Sequence, residues 1–138
     1  MPGPVAQVAA GDGHTCAALR DGRAVCWGWN NSGQLGDGTT VMRAAPAVVP
    51  NLTDVVQVAL GASTTCARRA DGTVWCVSRT NLPQRVEGVN DAVSLVVAGS
   101  HACVLRGDGT LRCWGRNHAG ELGTGALSER SDSVAVVW

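Results

Sequence analysis

Three segments of the chain repeat one pattern, in which two cysteines lie ten positions apart with an Asp-Gly pair between them. A short run that begins with valine and ends in glycine precedes the first cysteine of each pair; it is V-x-A-G in the first and third copies and V-A-L-G in the second. The segments are "VAAGDGHTCAALRDGRAVCWG" (8–28), "VALGASTTCARRADGTVWC" (58–76) and "VVAGSHACVLRGDGTLRCWG" (96–115). From the first cysteine to the second they align without a gap, so the chain consists of three copies of one unit, and such a period constrains the fold more than composition does. We predict one repeat unit over 1–138, with copies at about 4–50, 51–88 and 89–138.

Each copy carries the sequence signature of a β-hairpin. Strand-type runs flank a three-residue loop, Arg20-Asp21-Gly22 in the first copy. Its glycine falls where a type I turn with a G1 bulge needs a positive φ. Counting outward from the turn places the cysteines on a non-hydrogen-bonded pair, whose Cα atoms approach to about 4.5 Å, within the range of a disulfide. We therefore predict three cross-strand disulfides, Cys16–Cys26, Cys66–Cys76 and Cys103–Cys113.

The fold class follows from the whole copy. Four short strand-type segments per copy, with glycine turns and no convincing helical periodicity, indicate an all-β protein built of propeller blades. The segments "CWGWNNSGQLGDGT" (26–39) and "CWGRNHAGELGTG" (113–125), each preceded by H-x-C and D-G, resemble the repeat of the regulator of chromosome condensation family. The resemblance covers essentially the whole chain. It implies blades of four antiparallel strands in a β-propeller, usually one of seven blades.

Three copies are too few for such a ring, so we predict a partial propeller. Either the chain is part of a longer propeller, or copies associate as a homo-oligomer, in which two chains would supply six blades. The middle copy lacks thirteen residues relative to the first, because "VSRTNL" between Cys76 and Pro83 replaces the W-G-x-N-x-x-G-x-L-G segment. We expect blade two to lack its long loop, which would leave a notch between loops one and three if they stand on the same face.

Composition excludes some partners and suggests a compartment. Eleven arginines and no lysine balance eleven acidic residues to a formal charge of zero, which argues against nucleic acid as a partner. No apolar run is long enough for a membrane span, and no signal peptide is visible at the start. The absence of Lys, Ile, Phe and Tyr is typical of a GC-rich, bacterial genome. The predicted disulfides favour an extracellular or periplasmic location.

Catalysis and metal binding find little support. His14 and His101 each lie two residues before a cysteine, which suggests a zinc site, but the second copy has Thr64 there and disulfides would consume the thiolates. Asp21 and its two counterparts lie in hairpin turns, where aspartate has a backbone role. We therefore expect no enzyme activity, no catalytic residue, no metal and no cofactor.

The favoured function is a binding scaffold that presents propeller loops to a protein or glycan partner, as in secreted bacterial inhibitors of the resembled family. Alternatives are a self-assembling structural unit that closes a ring or forms a filament and, more weakly, a nucleotide-exchange factor for a small GTPase. From loop position alone, the candidate binding residues are Trp29, Asn30, Asn31, Gln34, Arg116, Asn117, His118 and Glu121.

Overall fold

The protein folds into three consecutive four-stranded sheets, as seen in a computed structural model that describes residues 3–77, 81–115, 122–123 and 130–135. The strands are β1 (Val5–Ala10), β2 (His14–Leu19), β3 (Ala24–Gly28), β4 (Arg43–Val48), β5 (Val55–Leu60), β6 (Thr65–Arg69), β7 (Val74–Val77), β8 (Gln84–Arg85), β9 (Ala92–Ala98), β10 (His101–Arg106), β11 (Leu111–Gly115) and β12 (Arg130–Ala135). The sheet orders are β1-β2-β3-β4, β5-β6-β7-β8 and β9-β10-β11-β12, all antiparallel. We call them blades 1, 2 and 3. The predicted fold class is confirmed as a partial propeller that is not closed.

The described part of the chain is entirely strand, turn and loop, so it holds no helix that could cross a membrane. The C-terminal strand β12 begins at Arg130. Val134 of β12 pairs with Cys113, just as Ala47 of β4 pairs with Cys26. Blades 1 and 3 therefore share one register.

The hairpins have the predicted register and turn. Cys16 lies opposite Cys26, and the Gly22 N–H donates to the Leu19 carbonyl with Gly22 at φ 91°. A side chain at that φ would be strained, which explains the Asp-Gly pair. All three predicted disulfides are present, each with a Cα–Cα distance of 4.1 Å.

The core lies between blades. One hydrophobic cluster joins blade 1 to blade 2, and a second joins blade 2 to blade 3. In blade 1, Cys16 and Ala18 point into the first cluster, whereas Ala17 and Leu19 point to the opposite face, as the alternation of side chains along a strand requires. Blade 2 thus buries both of its faces against its neighbours.

Two glutamines fix how neighbouring blades align. The Gln7 side chain of β1 donates to the Val58 carbonyl at 3.0 Å and accepts from the Val58 N–H at 2.7 Å. Gln57 of β5 likewise donates to the Leu95 carbonyl at 2.9 Å. Blade 3 has Ser94 at the same position of the repeat. We call the contact of the Gln7 or Gln57 side chain with the backbone of the next blade the amide bracket. It satisfies backbone groups on the innermost strand of the following blade, which lacks a strand partner on that side.

The glycine that ends each valine-to-glycine run allows neighbouring blades to approach closely. A Cβ atom on Gly11 would collide with the carbonyl oxygen of Gly61, and one on Gly61 would collide with the carbonyl oxygen of Gly99. Among the residues that the structure describes, no atom lies within 4 Å of such a position on Gly99. The glycine is therefore a packing requirement of the first two blade junctions.

Blade 2 has the short connection that the sequence predicts. Its fourth strand, β8, has two residues. The long loop of blade 1 packs against the connection that leads to this strand. The Gly38 N–H donates to the Asn81 carbonyl at 2.8 Å, and Gly36 lies against Val77 and Pro83. The expected notch is thus partly occupied by loop one, while most of loop three lies outside the described residues.

Candidate binding surface around Trp29

Loop one, residues 29–42, connects β3 to β4 and places Trp29 at its base. The indole is 58% exposed. The backbone N–H of Trp29 donates to the Gly13 carbonyl at 2.8 Å. Gly13 also packs closely against the Trp29 side chain, since a Cβ added to Gly13 would lie 3.3 Å from its atoms. The equivalent positions in blades 2 and 3 are serines, Ser63 and Ser100. The base of Trp29 is held firmly while its ring faces solvent.

Two further apolar side chains lie at the same end of blade 1. Val41 and Met42 are each 63% exposed. Gly28 pairs with Arg43 across β3 and β4, so the two strands leave the ladder at Trp29 and Met42. We call Trp29, Val41 and Met42 the Trp29 patch. Sequence analysis missed Val41 and Met42, although the strand pairing that brings them beside Trp29 follows from the repeat register.

Asn30 holds loop one together. Its side chain is fully buried, and its Nδ2 donates to the carbonyls of Thr39 and Val41 at 2.9 and 3.0 Å. Its Oδ1 accepts from the Leu35 N–H at 2.9 Å. One amide therefore ties both halves of the loop to its base. Buried polar groups satisfied in this way give a loop a single conformation.

A charged contact fixes the second half of the loop. Asp37 accepts hydrogen bonds from the Thr39 N–H and hydroxyl and pairs with Arg43 at 2.5 Å. Burial alone would raise the pKa of Asp37, but the hydrogen bonds from Arg43, Thr39 and Asn30 outweigh it and lower the pKa to about 2. The carboxylate therefore stays charged over the whole physiological range.

Loop one is also anchored to blade 2. The Thr65 hydroxyl of β6 donates to the Gln34 carbonyl at 2.6 Å, and His14 Nε2 lies 2.8 Å from the same Thr65 oxygen. Because the hydroxyl proton is used on Gln34, Thr65 must accept from a protonated Nε2, which leaves His14 Nδ1 with its lone pair. That buried nitrogen has no hydrogen-bond partner among the described residues.

His14 should make the free energy of unfolding depend on pH. Burial lowers the pKa of His14 below 6.5, while the nearby Thr64 backbone and the charge of Asp12 act in the opposite direction. In the unfolded chain the His14 imidazole binds a proton near pH 6.5, whereas in the folded state it binds that proton only at lower pH. The His14 contribution is therefore complete above pH 6.5 and declines as the pH falls below it. Urea unfolding on both sides of pH 6.5 measures this loss. His14→Gln should show a shallower pH dependence, and equal slopes would contradict the assignment.

The structure describes four of the eight candidate binding residues. Trp29 and Asn31 are exposed, whereas Asn30 and Gln34 are buried, at 0% and 3%. The two buried side chains shape the loop and present no surface to a partner, so the contact surface on this loop consists of its exposed members. The other candidates lie outside the described residues: Arg116, Asn117, His118 and Glu121.

The interior of this region offers little room for a ligand. A cavity between blades 1 and 2, beneath Leu35, has a volume of about 10 Å³, the space of one water molecule. The described residues contain no group of three His, Cys, Asp or Glu side chains placed to hold a metal ion. All six cysteines are joined in disulfides. A partner of loop one would therefore bind on its surface.

Blades of four antiparallel strands, stacked face to face, define a β-propeller repeat protein. Models of the regulator of chromosome condensation (RCC1) repeat match residues 5–34 and 93–121, and residues 21–68. The chain belongs to this repeat family.

Several known proteins are similar to it. Protein pim1 of Schizosaccharomyces pombe is 32% identical over 85 residues, which cover 51% of this chain and 16% of that protein. The ultraviolet-B receptor UVR8 of Arabidopsis thaliana is 39% identical over 59 residues, covering 41% and 13%. The structure of human WBSCR16 superposes with a TM-score of 0.85 at 25% identity, covering 98% of this chain and 38% of that one.

Yeast RCC1 (Prp20), solved bound to Kap60, gives a TM-score of 0.84 at 20% identity and covers 97% of this chain. This likeness shows the shared fold. The chain spans 37% of that protein and less than a fifth of the two sequence relatives.

Proposed function

We propose that the chain is a non-catalytic binding scaffold that uses loop one to hold a protein or glycan partner outside the cytoplasm. The carrying observation is the Trp29 patch, three exposed apolar side chains on a loop whose own polar groups are satisfied internally. A propeller fold supports an interaction role, and yeast RCC1 is itself solved in complex with a protein, Kap60.

The chemistry of the patch favours a protein over a glycan. Tryptophan and methionine are enriched in the cores of protein interfaces, and a rigid loop loses little conformational entropy when it binds. Around the patch, Asp37 is already neutralised by Arg43, so the surface lacks a strong field of one sign. The location is supported by three disulfides, which persist in oxidising compartments.

The proposal is tested by removing the indole. Trp29→Ala should weaken binding of the partner by about 30-fold, the effect of a hot-spot residue, and leave thermal unfolding nearly unchanged because the ring is exposed. Binding is measured by capture from extracellular fractions of the source organism and on a glycan array. The retained species is then titrated against each variant.

Val48→Ala is the matched control, because this exposed β4 side chain lies outside loop one. It should bind as the unchanged chain does. Equal binding by Trp29→Ala and Val48→Ala would overturn the assignment of loop one, and a retained species that is chemically converted would overturn the non-catalytic role.

Self-assembly is the second candidate, supported by the outer face of blade 3. Val96 and Leu105 are 63% and 39% exposed on that face, which has the alternation that blades 1 and 2 use to pack on their neighbours. A concentration-dependent mass in sedimentation would support a closed or open assembly.

Nucleotide exchange on a small GTPase ranks third. We expect an exchange assay to show no acceleration.

A further inference from the structure

The three disulfides occupy equivalent places but have different surroundings. In blades 1 and 2 the disulfide lies on the face that points toward the following blade. Cys16 and Cys26 are 0% and 1% exposed within the cluster between blades 1 and 2. Cys66 and Cys76 are 0% and 8% exposed within the cluster between blades 2 and 3. These four sulfurs are enclosed by two sheets.

The third disulfide lies on the outer face of blade 3. Cys103 is partly exposed, and Cys113 is 2% exposed. Val96 lies directly opposite Cys103 across β9 and β10, and Leu105 is two residues further along β10, so both share its face. Their exposure of 63% and 39% shows that this face is open beside the disulfide. Neither Cys103 nor Cys113 belongs to the two clusters between blades.

We propose that the Cys103–Cys113 disulfide is a site of thiol–disulfide exchange with a low-molecular-weight thiol. A thiolate attacks a disulfide sulfur along the axis of the S–S bond, so it needs open space on one side of the bond. The outer face of blade 3 supplies that space at Cys103. At the other two disulfides the adjoining sheet blocks the same approach, and attack requires the blades to separate first.

The reaction balances in two steps. The small thiolate forms a bond to Cys103 Sγ, the Cys103–Cys113 bond breaks, and Cys113 leaves as a thiolate that takes a proton from water. A second small thiolate then attacks the sulfur of the first, forming the oxidised small disulfide and releasing Cys103 as a thiolate, which is protonated in turn. Two electrons pass from two small thiols to the protein disulfide.

Graded reduction tests the proposal. The folded, oxidised chain is treated with excess reduced glutathione, quenched with N-ethylmaleimide at intervals and mapped by mass spectrometry after cleavage at arginine. We expect the glutathione adduct on Cys103, and labelling of Cys103 and Cys113 at a rate at least about tenfold above that of the other four cysteines, because those require a local opening. Equal rates, or earlier labelling of Cys16 and Cys26, would overturn the proposal.

Two double variants separate this site from general loosening of the fold. Cys103→Ala/Cys113→Ala should lose the fast phase, whereas Cys66→Ala/Cys76→Ala should retain it. A fast phase that persists in the first variant would overturn the assignment, even if both variants are destabilised. The series is repeated on the unchanged chain at rising protein concentration. A fast phase that slows would retain the site and place a second copy over it, and a fast phase absent at every dilution would overturn it.

Discussion

Asn30→Ala is expected to lower the free energy of unfolding by about 3 kcal/mol and to increase the mobility of loop one. The change removes the donor to two carbonyls and the acceptor of one N–H. The Leu35 N–H is buried, and the bonds to the Thr39 and Val41 carbonyls are partly buried. Losing the Asn30 partner costs about 1–3 kcal/mol for each group that cannot reach water. Urea unfolding measures the stability, and backbone amide exchange of residues 35–41 measures the freedom of the loop.

Asn31→Ala is the control for this prediction, since the neighbouring side chain has the same chemistry and is exposed. It should change the free energy of unfolding by no more than about 0.5 kcal/mol. If the two variants unfold at the same urea concentration, Asn30 does not organise the loop. The rigidity that supports binding through the Trp29 patch would then have to come from Asp37 and Arg43.

Gly61→Ala is expected to destabilise the chain by about 3 kcal/mol because the added methyl group meets the Gly99 carbonyl of the next blade. Backbone cannot move aside as a flexible side chain can, so blades 2 and 3 must shift apart, which costs packing along the whole junction. The midpoint of denaturant unfolding measures the loss, and a changed slope would reveal separate unfolding of blade 3.

Gly99→Ala is the comparison substitution in blade 3. Gly99 lies four residues before Cys103, whereas Gly61 lies five residues before Cys66. Gly99 has a φ of 55° and open space around it, so alanine pays only the strain of a left-handed conformation, about 1 kcal/mol. A loss at Gly99 as large as that at Gly61 would contradict the assignment of the Gly61 effect to contact with the next blade.

Much of the fold could be predicted because its signals are local. The Asp-Gly loop fixes the hairpin register, and the register alone places Cys16 opposite Cys26. The amide bracket could not be predicted, since Gln7 and Gln57 look like ordinary surface residues until the blades are stacked. Only their shared repeat position, with Ser94 as the exception, hints at a common role.

The candidate site was harder to predict than the fold. Asn30 and Asn31 are adjacent and chemically identical, and nothing in the sequence shows that one is buried and the other exposed. Their difference arises from the path of loop one over blade 2, which depends on Asn81 and Pro83 in the shortened connection. Val41 and Met42 were missed because their exposure follows from the strand pairing of Gly28 with Arg43.

The amide bracket gives the row of blades a polarity. Each glutamine donates a hydrogen bond to the blade that follows, Gln7 to the Val58 carbonyl and Gln57 to the Leu95 carbonyl. Each of these blades is therefore held by a side chain of the blade before it. Ser94 ends this series, because its side chain is too short for the same reach. A blade joined before β1 could form the amide bracket with the backbone of Val8, whereas one joined after blade 3 would lack this bracket. The two ends of this short array are therefore unequal in what they can accept.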